Sequence, residues 1–139
     1  MTQIKPINTT IEKTSHLLHK VMNAHDLIRD EHDAYKVLVA VITTLRDRLT
    51  PTDAHSIGAQ LTPLVRGWYY EGWSPSHTPE KFHRQEFLAA VKDALPVDRA
   101  WPVEEVVRLV LATLADTIDP AALERLRDQL PADLTDLLL

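Results

Sequence analysis

The sequence predicts an all-α protein: a helical bundle of about eight helices, built from two tandem four-helix repeats with pseudo-twofold symmetry. Apolar residues recur at three- and four-residue steps, which is typical of amphipathic helices. The 139 residues include only 3 glycines but 9 prolines, and most prolines stand where a helix would begin. The second half of the chain also repeats the first, at a constant offset of 69 positions that takes Pro51 to Pro120.

The helices are expected at 9–25, 32–49, 51–60, 63–71, 79–95, 102–117, 120–129 and 131–138. Thr9 and Glu12 have the spacing of a capping box and would begin the first helix. Four other helices would begin where a capping Thr or Asp precedes proline, at Thr50-Pro51, Thr62-Pro63, Thr78-Pro79 and Asp119-Pro120. Trp101-Pro102, followed by acids in the first turn, begins the sixth helix.

The two halves share their most apolar helices, 34–49 and 103–118, which we expect to pack near the symmetry axis. Eight pairs are identical at the offset of 69: Val37/Val106, Val41/Val110, Thr44/Thr113, Leu45/Leu114, Asp47/Asp116, Pro51/Pro120, Gln60/Gln129 and Leu61/Leu130. No glycine-serine linker separates the repeats, which span about 9–71 and 79–138. We therefore expect one fused domain over 1–139.

Composition and charge narrow the function classes. The net charge is −5, which argues against nucleic-acid binding as the main role. The chain has no cysteine, so it has neither a disulfide framework nor a thiolate metal site. The longest apolar run, 37–42, is too short to cross a membrane, and the first residues lack the apolar core of a signal peptide. A cytoplasmic location is expected.

Five stretches of the sequence, taken together, resemble a bacterial family of unknown function, number 2267 in the domain-of-unknown-function series. They are 45–51, 59–61, 66–75, 86–91 and 129–134, and the resemblance covers roughly 15–138. It implies a small, all-helical bacterial cytosolic protein, and it implies no activity. In one departure, the Gln-Leu-Pro of the second half reads Gln60-Leu61-Thr62-Pro63 in the first.

The aromatic segment 66–75 is present in the first half of the chain only. It holds half of the eight aromatic residues of the chain, and its counterpart after Thr135 is short and aliphatic. The candidate contact residues are Arg66, Trp68, Tyr69, Tyr70 and Trp73. These residue types dominate protein interfaces, so 66–75 is predicted to be a recognition surface. The alternative is an aromatic plug that closes the bundle end and joins the repeats.

The seven histidines are interpreted as exposed residues of polar helix faces. Glu80 and His83 have the Glu-x-x-His spacing of carboxylate-bridged di-iron bundles, but the position equivalent to His83 in the first half is Thr14, so a second such motif is missing. We find no nucleophile elbow and no phosphate-binding glycine loop. No metal, cofactor or catalytic residue is predicted, and an enzyme is the less favoured class.

Two functions remain open. The favoured one is a non-catalytic module that binds another protein, or itself as a homodimer, through 66–75. The alternative is a small-molecule or metal-binding protein, or a weak enzyme, with a pocket between the repeats lined by Trp68, Tyr69 and Trp101. The apolar tail, Leu134, Leu137, Leu138 and Leu139, is expected to pack into the core, with a dimer contact or a partner groove as the alternative.

Overall fold

The computed structural model describes residues 2–77 and 82–138, and over these residues the protein is all-α, as predicted. Eight α-helices are present in this part of the chain: α1 Lys5–Asn23, α2 Glu31–Arg48, α3 Pro51–Gly58, α4 Pro63–Tyr70, α5 Arg84–Ala94, α6 Val103–Thr117, α7 Pro120–Gln129 and α8 Ala132–Thr135. Short 3-10 turns lie at Pro75–His77 and Asp136–Leu138. The tandem repeat and its symmetry remain predictions from the sequence.

The two most apolar helices form the centre of the bundle. α2 contacts α1, α4, α5 and α6, and it is buried on more than one side, since Val37, Leu38 and Val41 are all fully buried. On α6, Val107 and Val110 are equally inaccessible. The wide apolar face of α2 therefore reflects contact with four neighbours.

Buried residues from both halves of the chain belong to one continuous core. Polar contacts also cross between the halves. The backbone N–H of Asp119 donates to Oε1 of Gln60 (3.2 Å), and Nε1 of Trp101 donates to the carbonyl oxygen of Leu27 (2.9 Å). The helices of one half thus pack directly on those of the other.

α3, α4 and α7 begin at Pro51, Pro63 and Pro120, as predicted. The Thr50 hydroxyl accepts the N–H of Asp53 (3.3 Å), which is the N-cap bond, and it donates to the carboxylate of Asp53 (2.9 Å). Asp119 accepts the N–H of Ala121 at 2.8 Å. Thr62 precedes Pro63 but makes no capping bond with its side chain.

Two predicted helix starts are wrong. α1 begins at Lys5, with Pro6 in its first turn, so proline and not Thr9 sets the start. α5 begins at Arg84, with His83 as its N-cap, instead of near residue 79. The expected cap, Thr78-Pro79, lies outside the described residues. The start of α5 is fixed by Asp133, whose carboxylate accepts the N–H of Arg84 at 3.1 Å.

The C-terminal segment packs against the core. α8 has only 4 residues, and Leu134, Leu137 and Leu138 are buried where the last 3-10 turn contacts α6. Leu139 is outside the described residues. In the described part of the chain, no helix combines the length and the apolar character that crossing a membrane requires.

Candidate functional site

Tyr69 belongs to the core, which corrects its place among the candidate contact residues. Its side chain is 0% exposed, and its hydroxyl donates to the carbonyl oxygen of Ala54 on α3 (2.9 Å). Burial raises the pKa of this phenol well above its usual range, because the charged form would lose its hydration. Tyr69 therefore stays neutral and joins α4 to α3, and it has no surface left for a partner.

Trp68 lies on a different side of α4. Its ring contacts Tyr35 of α2 in an edge-to-face arrangement, with 4.8 Å between the ring centroids, and it is half-buried. Such pairs stabilise a fold beyond the apolar area that they bury. Trp68 therefore serves mainly to hold α4 on α2.

The remaining candidates lie together at the α3–α4 face. Arg66, Tyr70 and Trp73 line one groove of about 400 Å³ with His55 and Ala59 of the α3 side. The rings of Tyr70 and Trp73 are 5.3 Å apart between centroids, and both are half-buried against the core. We call this the aromatic groove; none of its five lining residues is acidic.

Arg66 orders the floor of the groove. Its Nε donates to the carbonyl oxygen of Gly58 (2.9 Å) and its Nη2 to that of Leu61 (2.8 Å). These bonds satisfy carbonyls at the end of α3, where helical partners run out. Arg66 therefore has a structural role in the turn between α3 and α4, in addition to lining the groove.

The indole of Trp73 carries an unpaired donor. Its Nε1 is buried, yet it has no hydrogen-bond partner among the residues that the structure describes. A buried donor without a partner costs roughly 1–3 kcal/mol, and such groups are rare in folded proteins. Because this nitrogen is inaccessible to solvent, the groove presents the ring of Trp73 and not its N–H.

Gly58 allows the groove its shape. A Cβ atom built at this position would overlap the Tyr70 hydroxyl and lie 2.7 Å from the ring carbon Cζ. The Tyr70 ring therefore lies directly over Gly58, the last residue of α3. A larger residue at position 58 would displace the ring.

Arg46, which is not among the residues predicted from the sequence, binds the backbone of the aromatic segment from its buried side. Its side chain is 6% exposed, and its Nη1 donates to the carbonyl oxygens of Tyr69 and Glu71, both at 2.8 Å. Nε is paired with Asp47 at 2.9 Å. The position 69 residues later is Ala115, so the arginine occurs only in the half that has the aromatic segment; this comparison could have revealed it.

The three residues of the alternative pocket have separate surroundings. Tyr69 is inside the core and Trp68 packs on Tyr35. Trp101 is bonded to Leu27 and lies below the guanidinium of Arg99, 5.7 Å from its ring centroid. Three cavities of the described chain lie elsewhere: one is the aromatic groove, and two adjoin α1.

Three of the described histidines, His19, His25 and His83, each lie against a single carboxylate. Nε2 of His25 lies 2.7 Å from Glu105, and Nε2 of His19 lies 3.1 Å from Glu31. Over 2–77 and 82–138, no group of three or more metal-ligating side chains comes together. Glu80, of the Glu-x-x-His pair, lies outside the described residues.

A protein-family model matches residues 14–137, nearly the whole chain, and its description reads "Uncharacterized conserved protein (DUF2267)". The chain belongs to this family. No curated protein matched the sequence. Because the description of DUF2267 names no activity, the chemistry of this member must be argued from its own residues.

Proposed function

We propose that this DUF2267 protein is a non-catalytic, cytoplasmic interaction module that binds another protein through the aromatic groove. The observation that carries the proposal is that Trp73, Tyr70 and Arg66 line one groove that has no acid in its lining. Interface hot spots are enriched in these three residue types.

The chemistry of the groove indicates the kind of partner. The two rings offer apolar contact area. Arg66 adds positive charge. Its bonds to Gly58 and Leu61 use Nε and Nη2, and its Nη1 makes no hydrogen bond within the described part of the chain. With no acid in the lining, the groove suits a peptide segment that combines an apolar side chain with a carboxylate.

A displayed peptide library provides the test, because it samples many sequences without assuming the identity of the partner. The library is selected on the purified protein, and the peptides recovered are then titrated against three variants. Trp73→Ala and Tyr70→Ala should each weaken binding about tenfold or more, the loss expected at a hot spot. Trp68→Ala is the matched control, since it removes an aromatic residue of the same segment outside the groove.

The recovered peptides are expected to share an apolar residue close to an acid. Equal affinity for the wild type, Trp73→Ala and Tyr70→Ala, with each variant still folded by circular dichroism, would contradict the proposal. Size-exclusion chromatography of the same proteins separates the homodimer: dissociation on Trp73→Ala would make a second copy the partner.

A further inference from the structure

A second candidate site lies on the other side of α4, along α1. A cavity of about 420 Å³ is bounded by the middle of α1, the α3–α4 turn and the end of α6. Its apolar residues are Leu17, Leu61 and Val65, all of which are buried. A second cavity, of about 340 Å³, continues toward the start of α1, and the two share Lys13 and Thr62. We call the pair the α1 groove.

Three of the four charged residues that line the α1 groove are lysines. Lys5, Lys13 and Lys20 line it, and Glu12 is the one acid among its lining residues. Within the described residues, none of the three lysines forms an ion pair, although the chain carries 20 acids against 15 basic residues.

The start of α4 adds to the same potential. Thr62 and Pro63 line the groove, and the first free N–H of α4, that of Leu64, is donated to the Thr10 hydroxyl at 3.1 Å. The N-terminus of a helix carries partial positive charge, so the dipole and the lysines act together. Of the three lysines, Lys13 is the one that lines both cavities, next to the apolar surface of the larger cavity.

From this juxtaposition we propose that the α1 groove binds a soluble organic anion with a short apolar chain. The anionic head pairs with Lys13, and the apolar chain covers Leu17, Leu61 and Val65. The volume of the larger cavity is within the usual range for small-ligand sites. The inference is independent of the aromatic groove, with which it shares no lining residue.

Octanoate is a suitable probe, because it combines a carboxylate with an apolar chain. Titration of the full chain, followed by NMR of the backbone amides, should give saturable 1:1 binding, with the largest shifts in α1 and at 61–65. Octanol lacks the charge and acetate lacks the chain, so each should bind at least fivefold more weakly than octanoate.

Variants locate the site. Lys13→Gln changes an exposed residue and should weaken octanoate binding at least fivefold, whereas Lys92→Gln, on the exposed surface of α5, is the matched control and should have no effect. Thr117→Phe, at an exposed position on the cavity rim, should block the apolar part.

Three results would overturn the proposal: no saturable binding at millimolar octanoate, equal binding of octanol, or binding that neither Lys13→Gln nor Thr117→Phe weakens in a folded protein. Lysine-dependent binding to phosphatidylglycerol vesicles without binding of octanoate would also overturn it, and would assign the lysines to a membrane surface.

Discussion

At the scale of single residues, Arg46 shows how a buried charge can shape a site that it does not line. One guanidinium nitrogen bonds two carbonyl oxygens at the end of α4, and this fixes the direction in which the chain leaves toward Trp73. Gly72, with φ of 74°, then makes the turn, in a backbone conformation that other residues adopt with strain. The position of the groove thus depends on residues beneath it and beyond it.

Replacing Arg46 by methionine should therefore lower the free energy of unfolding by about 2 kcal/mol or more. The carbonyls of Tyr69 and Glu71 would lose their donor, and a buried acceptor without a partner is costly. Urea denaturation measures the change. Arg125→Met, at an exposed position, should change the midpoint little; similar losses for both variants would contradict the role given to Arg46.

Gly58→Ala should weaken peptide binding while it changes the free energy of unfolding little. The added methyl group would displace the Tyr70 ring, but it would also favour the helical conformation by up to about 1 kcal/mol. The variant should stay within roughly 1 kcal/mol of the wild type in urea, while its affinity for the selected peptides falls about tenfold. Unchanged affinity would show that Tyr70 is not a groove contact.

At the scale of helices, the start of α5 depends on a distant carboxylate. Asp133 accepts the first N–H of α5 and lies 3.3 Å from Nδ1 of His83. Arg84, in turn, forms ion pairs with Glu104 and Asp136. These contacts join α5 to α6 and to the C-terminal segment, so they define where α5 begins.

The same carboxylate gives a pH prediction. The hydrogen bond from the Arg84 backbone, followed by the effect of His83, lowers the pKa of Asp133. Because the pKa is lower in the folded state, the Asp133 carboxylate contributes its full stabilisation at pH values above the unfolded pKa of about 3.9. This contribution is lost as the pH falls through the pKa of the folded state.

Asp133→Asn should accordingly lower the urea midpoint at neutral pH, and the gap to the wild type should narrow near pH 3, below that unfolded pKa of about 3.9. Asp98→Asn, at an exposed position, serves as control and should show no such convergence. A gap of constant size at both pH values would mean that the carboxylate charge of Asp133 contributes nothing.

The helices that the sequence located best are those whose signals are local. α3 and α7 begin at Pro51 and Pro120 as expected, because the capping residue and the proline are adjacent. The start of α5 was missed because its determinant, Asp133, lies 49 residues away in the chain.

The sequence located the candidate site only in part, because some of the determinants of this site are also distant in the chain. An unusual run of aromatic residues is visible in the sequence, but the face that each ring takes is set by the position of α3. Tyr69 and Tyr70 are neighbours of the same type, yet one is buried over Ala54 and the other lines the groove.

At the scale of the whole molecule, the continuous core that both halves share predicts one cooperative unfolding transition. Far-UV circular dichroism reports all helices, whereas tryptophan fluorescence reports Trp68, Trp73 and Trp101. The two urea curves should coincide, as two-state unfolding requires. Separate midpoints would show that the halves unfold independently.

The central claim, that the aromatic groove binds another protein, is tested most directly by photo-crosslinking in the cell. A benzophenone amino acid replaces Ala59, an exposed residue of the groove, and Val97, a fully exposed residue elsewhere, serves as the control position. Position 59 should give a discrete crosslinked protein that position 97 does not give, and Trp73→Ala should abolish it. The same product from both positions, or a product that persists in a folded Trp73→Ala variant, would contradict the account.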